Sequence, residues 1–348
     1  MAAYTTIDDP TAYFKCHLYT GTGSSNAQTF ADTDTDMQPD MVWIKNRDAT
    51  DNHVLTDAVR GATKTLFPNY NDPSGEATVA EGLKSFDSDG YTVGTDVRWN
   101  TNTEDYVSWN WKMGTTSGLS GGSLTSDGYS FSATAGQGVY KYTGGGSTVT
   151  ISHGLGAVPK FMIVKRLGNQ EWRVYHVTPG PTKNLVLDQN DAQNTNSANW
   201  NNTAPTSSVF TVGTSLTESS FVNMVYVFAD VQGYSKFGSY VGNNGGANGV
   251  FVYTGFRPSL VIQKAASAAN GEWLMTDVKR NTYNLANTKL EADTTDAEFT
   301  DFGIDILSNG FKTKADGADQ QDSGVTYVYA AFAEAPFVNS NGVPCNAR

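Results

Sequence analysis

The sequence has very little cysteine and no long apolar run, and both absences exclude whole classes of protein. Cys16 and Cys345 are the only cysteines, one near each end, so there is neither a disulfide framework nor a Cys-x-x-Cys metal motif. No apolar run approaches the ~20 residues that span a membrane, and the opening MAAYTTIDDP lacks the basic and apolar regions of a secretory signal. We expect a protein that folds in the cytoplasm, without membrane insertion and without a bond between the two cysteines.

Positive charge is also scarce. The chain carries 23 lysine and arginine residues against 35 aspartate and glutamate residues, for a formal net charge of -12. A surface of this sign repels the phosphate backbone that supplies most of the affinity of nucleic-acid-binding proteins. We therefore expect no nucleic-acid partner, and we interpret the acidic surface as a source of solubility.

Helix-period apolar patterns are weak, whereas residues typical of strands and turns abound. The chain has 35 glycines, 17 tyrosines, 17 phenylalanines and 7 tryptophans in 348 residues. Aromatic side chains can fill several cores, and glycine with asparagine, aspartate, serine and threonine joins short strands through tight turns. The composition predicts an all-β protein, and the length suits two or three domains.

Three copies of one pattern run along the chain. Each copy has a proline followed by an apolar strand that ends in a basic residue, then a turn into a short strand, then an alternating aromatic strand. The prolines are Pro39, Pro159 and Pro258; the turns lie at 86–95, 207–214 and 307–314; the aromatic strands begin at Tyr106, Phe221 and Tyr327. A Tyr-Thr-Gly strand, at 18–23, 141–146 and 252–256, is interpreted as the opening of each copy.

These repeats predict an all-β fold of three tandem jelly-roll-like β-sandwich domains. The first domain is predicted at 1–114, the second at 127–232 and the third at 233–348. Residues 115–126 lack apolar periodicity and are predicted to be a flexible linker. The second junction carries aromatics within 231–246 and is expected to be more rigid.

Histidines do not form a recognisable metal site. They lie on separate segments, and none has the His-Glu-x-x-His or Cys/His spacing that would bring two of them to one zinc ion. We predict that all four are structural. They are His17, His53, His153 and His176.

Acidic residues are plentiful, but they do not follow the pattern of a calcium loop or of a glycosidase. The run with Asp32, Asp34 and Asp36 begins like a calcium loop, yet Met37 and Trp43 stand where that loop needs glycine and glutamate. The other acids lie mostly in turns, and no short strand carries a pair of carboxylates on one face for glycoside hydrolysis. We predict no catalytic residue, no cofactor and no metal, and leave open whether the acidic loop holds calcium.

Two tryptophans are candidates for glycan binding. Trp99 and Trp200 stand in asparagine-rich segments outside the strand pattern, where an exposed ring could stack on a sugar while neighbouring amides bond its hydroxyl groups. Packing over a domain edge is the alternative for this pair. The tryptophans on the strand anchors are predicted to be core residues: Trp43, Trp109, Trp172 and Trp273.

Several longer segments resemble a family of repeat-domain structural proteins of tailed phages of marine bacteria. The likeness covers essentially the whole chain, from the opening MAAYTTIDDPTAYFKCHLYTGTG to the closing AAFAEAPFVNSNGVPCNAR. It includes DMVWIKNR, FDSDGYTVG, GYSKFGSYVGN and FVYTGFRP. The resemblance implies a virion-associated structural protein with lectin-like or tail-fibre-like β-modules, and it brings no functional residues with it.

Two functions are compatible with these observations. The first is a non-catalytic component of the particle exterior, either a head decoration or a tail adsorption appendage. Its partners would be other virion proteins, copies of itself in a homo-oligomer such as a trimer, and host-surface glycans. The second is a carbohydrate-active enzyme of lectin-like fold that degrades host-surface polysaccharide; an assay for new reducing ends separates the two.

Overall fold

The computed structural model describes residues 3–30, 35–71, 75–314 and 317–347, and these residues are almost entirely β-structure. Two single-turn α-helices and two short 3-10 helices, Pro10–Ala12 and Gly246–Asn248, are the only helical elements among them. The strands form antiparallel sheets that pack as sandwiches. The predicted all-β class is confirmed.

The first sandwich is built from two packed antiparallel sheets and a separate two-stranded pair, Lys64–Thr65 with Ala77–Thr78. Its strands are β1 (Phe14–Thr20), β2 (Asn26–Thr29), β3 (Met41–Asn46), β4 (Val54–Asp57), β5 (Lys64–Thr65), β6 (Ala77–Thr78), β7 (Leu83–Asp87), β8 (Gly90–Val93) and β9 (Asp105–Trp111). Helix α1 (Val97–Asn100) precedes β9. The larger sheet has the order β1-β9-β3-β4, and the smaller one has the order β2-β8-β7.

The second sandwich repeats this plan with one extra strand at its start and one strand fewer in its smaller sheet. Its strands are β10 (Gly128–Ser132), β11 (Gln137–Thr143), β12 (Val149–Ser152), β13 (Pro159–Arg166), β14 (Arg173–His176), β15 (Lys183–Val186), β16 (Asn194–Thr195), β17 (Val209–Val212) and β18 (Val222–Ala229). Helix α2 (Ser197–Trp200) precedes β17. The larger sheet has the order β10-β11-β18-β13-β14-β15-β16, and β12 pairs with β17.

In the third sandwich the two sheets are continuous. Its strands are β19 (Ser235–Val241), β20 (Phe251–Tyr253), β21 (Phe256–Ala265), β22 (Leu274–Asp277), β23 (Ala286–Glu291), β24 (Phe299–Leu307), β25 (Gly310–Thr313) and β26 (Thr326–Pro336). The order is β19-β26-β21-β22-β23-β24-β25-β20. Both ends of this order, β19 and β20, are therefore sheet edges.

One strand order occurs three times. It reads β1-β9-β3-β4, then β11-β18-β13-β14, then β19-β26-β21-β22, and the smaller sheets pair β2 with β8, β12 with β17 and β20 with β25. The sequence anchors thus correspond to equivalent strands in each copy. The domain boundaries themselves stay a prediction.

One detail of the repeat alignment is wrong. The VYTGF segment at 252–256 contributes to β20, the equivalent of β2 and β12, whereas the strand that opens the third sandwich is β19. The ring contacts show the correct match. Tyr240 of β19 stacks on Tyr327 with 5.2 Å between ring centroids, as Tyr19 of β1 stacks on Tyr106 at 5.1 Å.

The three sandwiches share a central core in addition to the core inside each of them. One cluster of buried side chains draws on the larger sheet of all three, and Trp111, Phe228 and Phe332 meet at its centre. Their ring centroids lie 6.3 Å, 5.5 Å and 5.5 Å apart, so each ring contacts the other two. The three residues hold equivalent positions, opposite Met41, Phe161 and Leu260. The repeats are thus arranged about an approximate threefold axis.

This arrangement explains why the apolar strands at Pro39, Pro159 and Pro258 do not alternate. Strand β3 is buried at all six positions, because one face lies on its own sandwich core and the other on the central core. A strand covered on both faces reads as a nearly continuous apolar run. Trp43, Trp109, Trp172 and Trp273 belong to the central cluster, which confirms their prediction as core residues.

Residues 115–126 are attached to the second sandwich along their length. The Thr115 N–H donates to the Phe131 carbonyl at 2.9 Å, and the Ser123 N–H donates to the Thr150 carbonyl at 2.9 Å. Leu119 and Leu124 pack against the core of that sandwich. This segment is therefore part of the second sandwich rather than a free linker.

The two cysteines are free and lie at separate places. Cys16 is buried beside Ser259, whereas the Cys345 thiol donates to the Ser308 carbonyl at 3.1 Å. No helix in the described ranges is long and apolar enough to span a membrane.

Candidate functional site

The three sandwiches are joined by a ring of equivalent hydrogen bonds. Trp172 Nε1–H donates to the carbonyl of Phe67 at 2.9 Å, and Trp273 Nε1–H donates to the carbonyl of Val186 at 2.8 Å. His53 closes the ring, with Nε2 lying 3.0 Å from the carbonyl of Glu291. Each bond runs from the residue just before β4, β14 or β22 to a backbone carbonyl of another sandwich. The second sandwich bonds the first, the third bonds the second, and the first bonds the third. The sandwiches are therefore linked cyclically, head to tail.

The tautomer of His53 follows from its neighbours. Trp43 Nε1–H donates to His53 Nδ1 at 2.9 Å, so Nδ1 must be an acceptor and Nε2 carries the proton that bonds Glu291. Burial holds the pKa of His53 well below its usual value, and nearby Lys45 acts in the same direction. His53 is thus a neutral, buried structural residue, as predicted.

A second recurring feature is an asparagine or aspartate that accepts the backbone N–H of each ring residue. Asn69, Asp188 and Asp293 accept the N–H of His53, Trp172 and Trp273, each at 2.9 Å. The first copy differs from the other two in charge. There the Asn69 amide donates to Asn52 Oδ1 at 2.9 Å, whereas the third copy places the carboxyl groups of Asp293 and Glu272 side by side.

The basic residue that ends each anchor strand is buried, not solvated. Lys45, Lys165 and Lys264 are at most 1% exposed and donate to backbone carbonyls of the loop that follows. Burial lowers the pKa of Lys45 and of Lys264 to about 8, with neighbouring carboxylates acting in the opposite direction. These lysines hold the loops that carry the junction residues.

The junction of the first and third sandwiches opens into a cleft, hereafter the junction cleft. It is wide open to solvent and spans about 710 Å³, a volume that includes solvent space. Tyr70, 40% exposed, forms one side, and its ring lies 6.1 Å from that of Phe67. The residues that line the cleft are Asn52, Asn69, Tyr70, Asp293, Thr294, Thr295 and Asp296.

Carboxyl groups give this cleft an unusual protonation state. The pKa of Asp293 is raised well above its usual range, because the group is buried and lies beside Glu272. Burial and the neighbouring acids Glu272, Asp319 and Asp296 raise the pKa of Glu291 to about 7. The raised pKa favours the protonated form of Asp293, and a protonated carboxyl group can donate as well as accept a hydrogen bond.

The chemistry of the cleft suits a polyhydroxyl ligand. In the described part of the chain the Asn52 amide nitrogen donates no hydrogen bond, so its N–H groups remain available to a ligand. Asp296 and the two threonine hydroxyls add acceptors and donors, and the Tyr70 ring offers an apolar face. Sugar-binding sites commonly combine an aromatic face with converging amide, hydroxyl and carboxyl groups.

The residues predicted for glycan binding lie elsewhere. Trp99 and Trp200 are both 0% exposed and pack in the cores of the first and second sandwiches, one in each short helix. The expectation of exposed rings is wrong, because their asparagine-rich neighbours form helix turns that direct the indoles inward. A buried ring has no face to offer a sugar.

The acidic loop falls largely outside the structure that is described. Asp32 and Asp34 are not among the described residues, and Asp36 is exposed. Among the described residues, no group of three or more histidine, cysteine, aspartate or glutamate side chains is placed to hold a metal ion.

Sequence reasoning missed the junction residues, although a signal for them exists. Asn69 follows His53 by 16 residues, Asp188 follows Trp172 by 16, and Asp293 follows Trp273 by 20. Aligning the three copies at the ring residue would have matched these positions. Nothing in the sequence, however, shows that the first and third copies meet there.

A family model described as a domain of unknown function, DUF7483, matches residues 9–336. The matched span runs from before β1 to the end of β26, so the family is defined on all three sandwiches together. No curated protein matches the chain, and no solved structure does.

Proposed function

The chain belongs to the DUF7483 family, and from its structure we propose that it is a non-catalytic, adhesive component of the exterior of a tailed-phage particle. The junction cleft is its binding site for surface glycans. Its amide, hydroxyl and tyrosine lining is the observation that carries this proposal.

The architecture supports a structural role. Three sandwiches pack on one aromatic centre and are linked by a cyclic set of hydrogen bonds, an arrangement that suits a rigid scaffold. Rigid β-scaffolds position ligand-binding loops with little loss of conformational entropy on binding. The resemblance of the opening and closing segments to repeat proteins of marine phages supports a place on the particle.

Glycan binding is tested with polysaccharide from the host surface and the variant Tyr70→Ala. We expect the wild-type protein to bind and the variant to lose affinity about tenfold, because an aromatic face contributes ~1 kcal/mol or more to a contact of this kind. Isothermal titration calorimetry gives both affinities.

Tyr283→Ala is the matched control, since Tyr283 is a tyrosine 80% exposed that does not line the cleft. It should bind as the wild type does. Equal affinity for all three proteins would contradict the cleft as the binding site. Labelled antibody on intact particles, imaged by electron microscopy, tests the location separately.

One observation favours hydrolysis of a glycan as a second candidate function. Asp293 lines the cleft, and burial beside Glu272 raises its pKa, as the surroundings of a glycosidase general acid do. New reducing ends released from host polysaccharide, and lost in Asp293→Asn, would establish an enzyme. Binding without release of reducing ends supports the adhesive function.

A further inference from the structure

Within the described ranges, strand β20 of the third sandwich has an unpaired edge. It pairs there only with β25, and the N–H groups of the flanking residues Val250 and Thr254 point to the β25 side, donating to Thr313 Oγ1 at 2.8 Å and to the Asn309 carbonyl at 2.9 Å. Backbone groups alternate in direction along a strand. The N–H and C=O groups of Phe251 and Tyr253 therefore point to the open side.

The equivalent edge of the second sandwich is occupied. Thr150 of β12 corresponds to Phe251, because Ile151 and Val252 both stand opposite an inward phenylalanine, Phe210 or Phe311. There the Thr150 carbonyl accepts the N–H groups of residues 123 and 124, and the Thr150 N–H donates to the side-chain hydroxyl of residue 123 at 2.9 Å. The occupant is an uncharged stretch of this chain with left-handed backbone at Gly121 and Gly122, so it meets this edge through isolated pairings with Ile151 and the bonds to Thr150 rather than as a regular strand.

The edge of β20 lacks the features that usually protect an exposed strand. Residues 237–256 contain no charged residue, and β20 has neither a proline nor an irregularity in its pairing. Its outward side chains are aromatic: Phe251 is 46% exposed and Tyr253 is 54% exposed, with the Tyr253 hydroxyl 3.2 Å from that of Tyr4. The equivalent outward residues of β2, in the first sandwich, are Ala27 and Thr29.

We propose that β20 receives an extended segment of a partner protein, which adds to the smaller sheet of the third sandwich as an edge strand. The occupant of the equivalent edge shows the chemistry that fits. That segment, residues 119–124, reads LSGGSL: it is uncharged, has small residues where the backbones approach, and has a leucine at each end that packs on the sandwich core. Strand addition of this kind takes its affinity from main-chain hydrogen bonds and its selectivity from such side chains.

The proposal goes beyond the proposed function and holds wherever the protein is located. It is tested on the full chain with a synthetic peptide of residues 114–126, GTTSGLSGGSLTS, as the probe. We expect an excess of peptide to slow hydrogen exchange at the Phe251 and Tyr253 amides and to leave other edge amides unchanged. A peptide with both leucines replaced by aspartate should have no effect.

Phe251→Pro is the decisive variant, because it removes the outward N–H, which is unpaired among the described residues, together with the ring, whereas Phe251→Thr removes the ring alone. Proline is tolerated at edge positions that face solvent. We expect it to abolish peptide binding, whereas Phe251→Thr, which keeps the N–H, should retain it with reduced affinity. Ala27→Pro, at the equivalent position of the first sandwich, should fold and bind as the wild type does.

Three outcomes would overturn the proposal. One is unchanged exchange at Phe251 and Tyr253 at saturating peptide. Another is equal binding by Phe251→Pro. The third is slowing of the same amides by raised protein concentration alone, with a dimer in analytical ultracentrifugation, which would assign the edge to a second copy of the chain.

Discussion

At the scale of single residues, one buried position is filled differently in each repeat. Asp57 and Asp277 each pair with an arginine three residues later, with carboxylate and guanidinium 2.6 Å apart and nearly fully buried. The second repeat has His176 at this place, and its Nε2 lies 3.2 Å from the carbonyl of Tyr329 in the third sandwich. The same location is thus an ion pair in two repeats and a neutral imidazole in the other.

We predict that His176 makes stability fall in mild acid. Burial lowers its pKa to about 4, whereas an unfolded histidine titrates near 6.5, so the unfolded chain binds the proton first as pH falls. The contribution of neutral His176 to the free energy of unfolding is complete above about pH 6.5 and is lost as pH falls towards about 4. Between pH 7 and pH 5 this amounts to about 2 kcal/mol in the free energy of unfolding.

Urea unfolding at the two pH values, for the wild type and His176→Gln, isolates this contribution. Glutamine can donate to the Tyr329 carbonyl but does not titrate. The wild type should lose about 2 kcal/mol more than the variant on going from pH 7 to pH 5. The same pH dependence in both proteins would show that His176 is charged in the fold.

At the scale of elements, the segment 115–126 becomes structured through close contact with β12. Gly122 has φ of +77°, and a side chain there would place its Cβ 2.6 Å from the Thr150 carbonyl oxygen. Gly118 has φ of +81° but has nothing within 4 Å of such a Cβ. Both positions need a left-handed backbone, yet only Gly122 also needs the space.

We predict that Gly122→Ala destabilises the chain more than Gly118→Ala does. Gly118→Ala, the matched control, should lower the free energy of unfolding only by the cost of the left-handed conformation, about 1 kcal/mol. Gly122→Ala should cost about 1 to 2 kcal/mol more, because the backbone contact must open. Urea unfolding gives the totals, and faster hydrogen exchange at the Ser123 amide locates the effect; equal costs would refute the close contact.

At the scale of the whole molecule, the central cluster makes the three sandwiches depend on one another. The rings of Trp111, Phe228 and Phe332 come from β9, β18 and β26, the last strand along the chain in each sandwich. They contact each other where the three sandwiches meet. Each sandwich alone would expose a large apolar face. Shared burial of this kind couples the folding of the parts.

We predict that Phe332→Ala loosens all three sandwiches together. The change should cost about 3 to 5 kcal/mol and speed hydrogen exchange in β3, β13 and β21 alike. Phe210→Ala, in the separate core of the second sandwich, is the control and should act mainly on that sandwich. An increase confined to the third sandwich in Phe332→Ala would show that the cores are independent.

The amino-acid sequence by itself determined the all-β class, the order of the repeated strands and the burial of Trp43, Trp109, Trp172 and Trp273. These follow from alternation, turn residues and apolar runs, which act within a few residues of chain. The tertiary structure alone decided that Trp99 and Trp200 turn inward, and that Asn52 and Tyr70 face Asp293 across a cleft. It also decided which sheet edge is covered. These outcomes depend on how segments distant in sequence pack together, and local sequence carries no record of that packing.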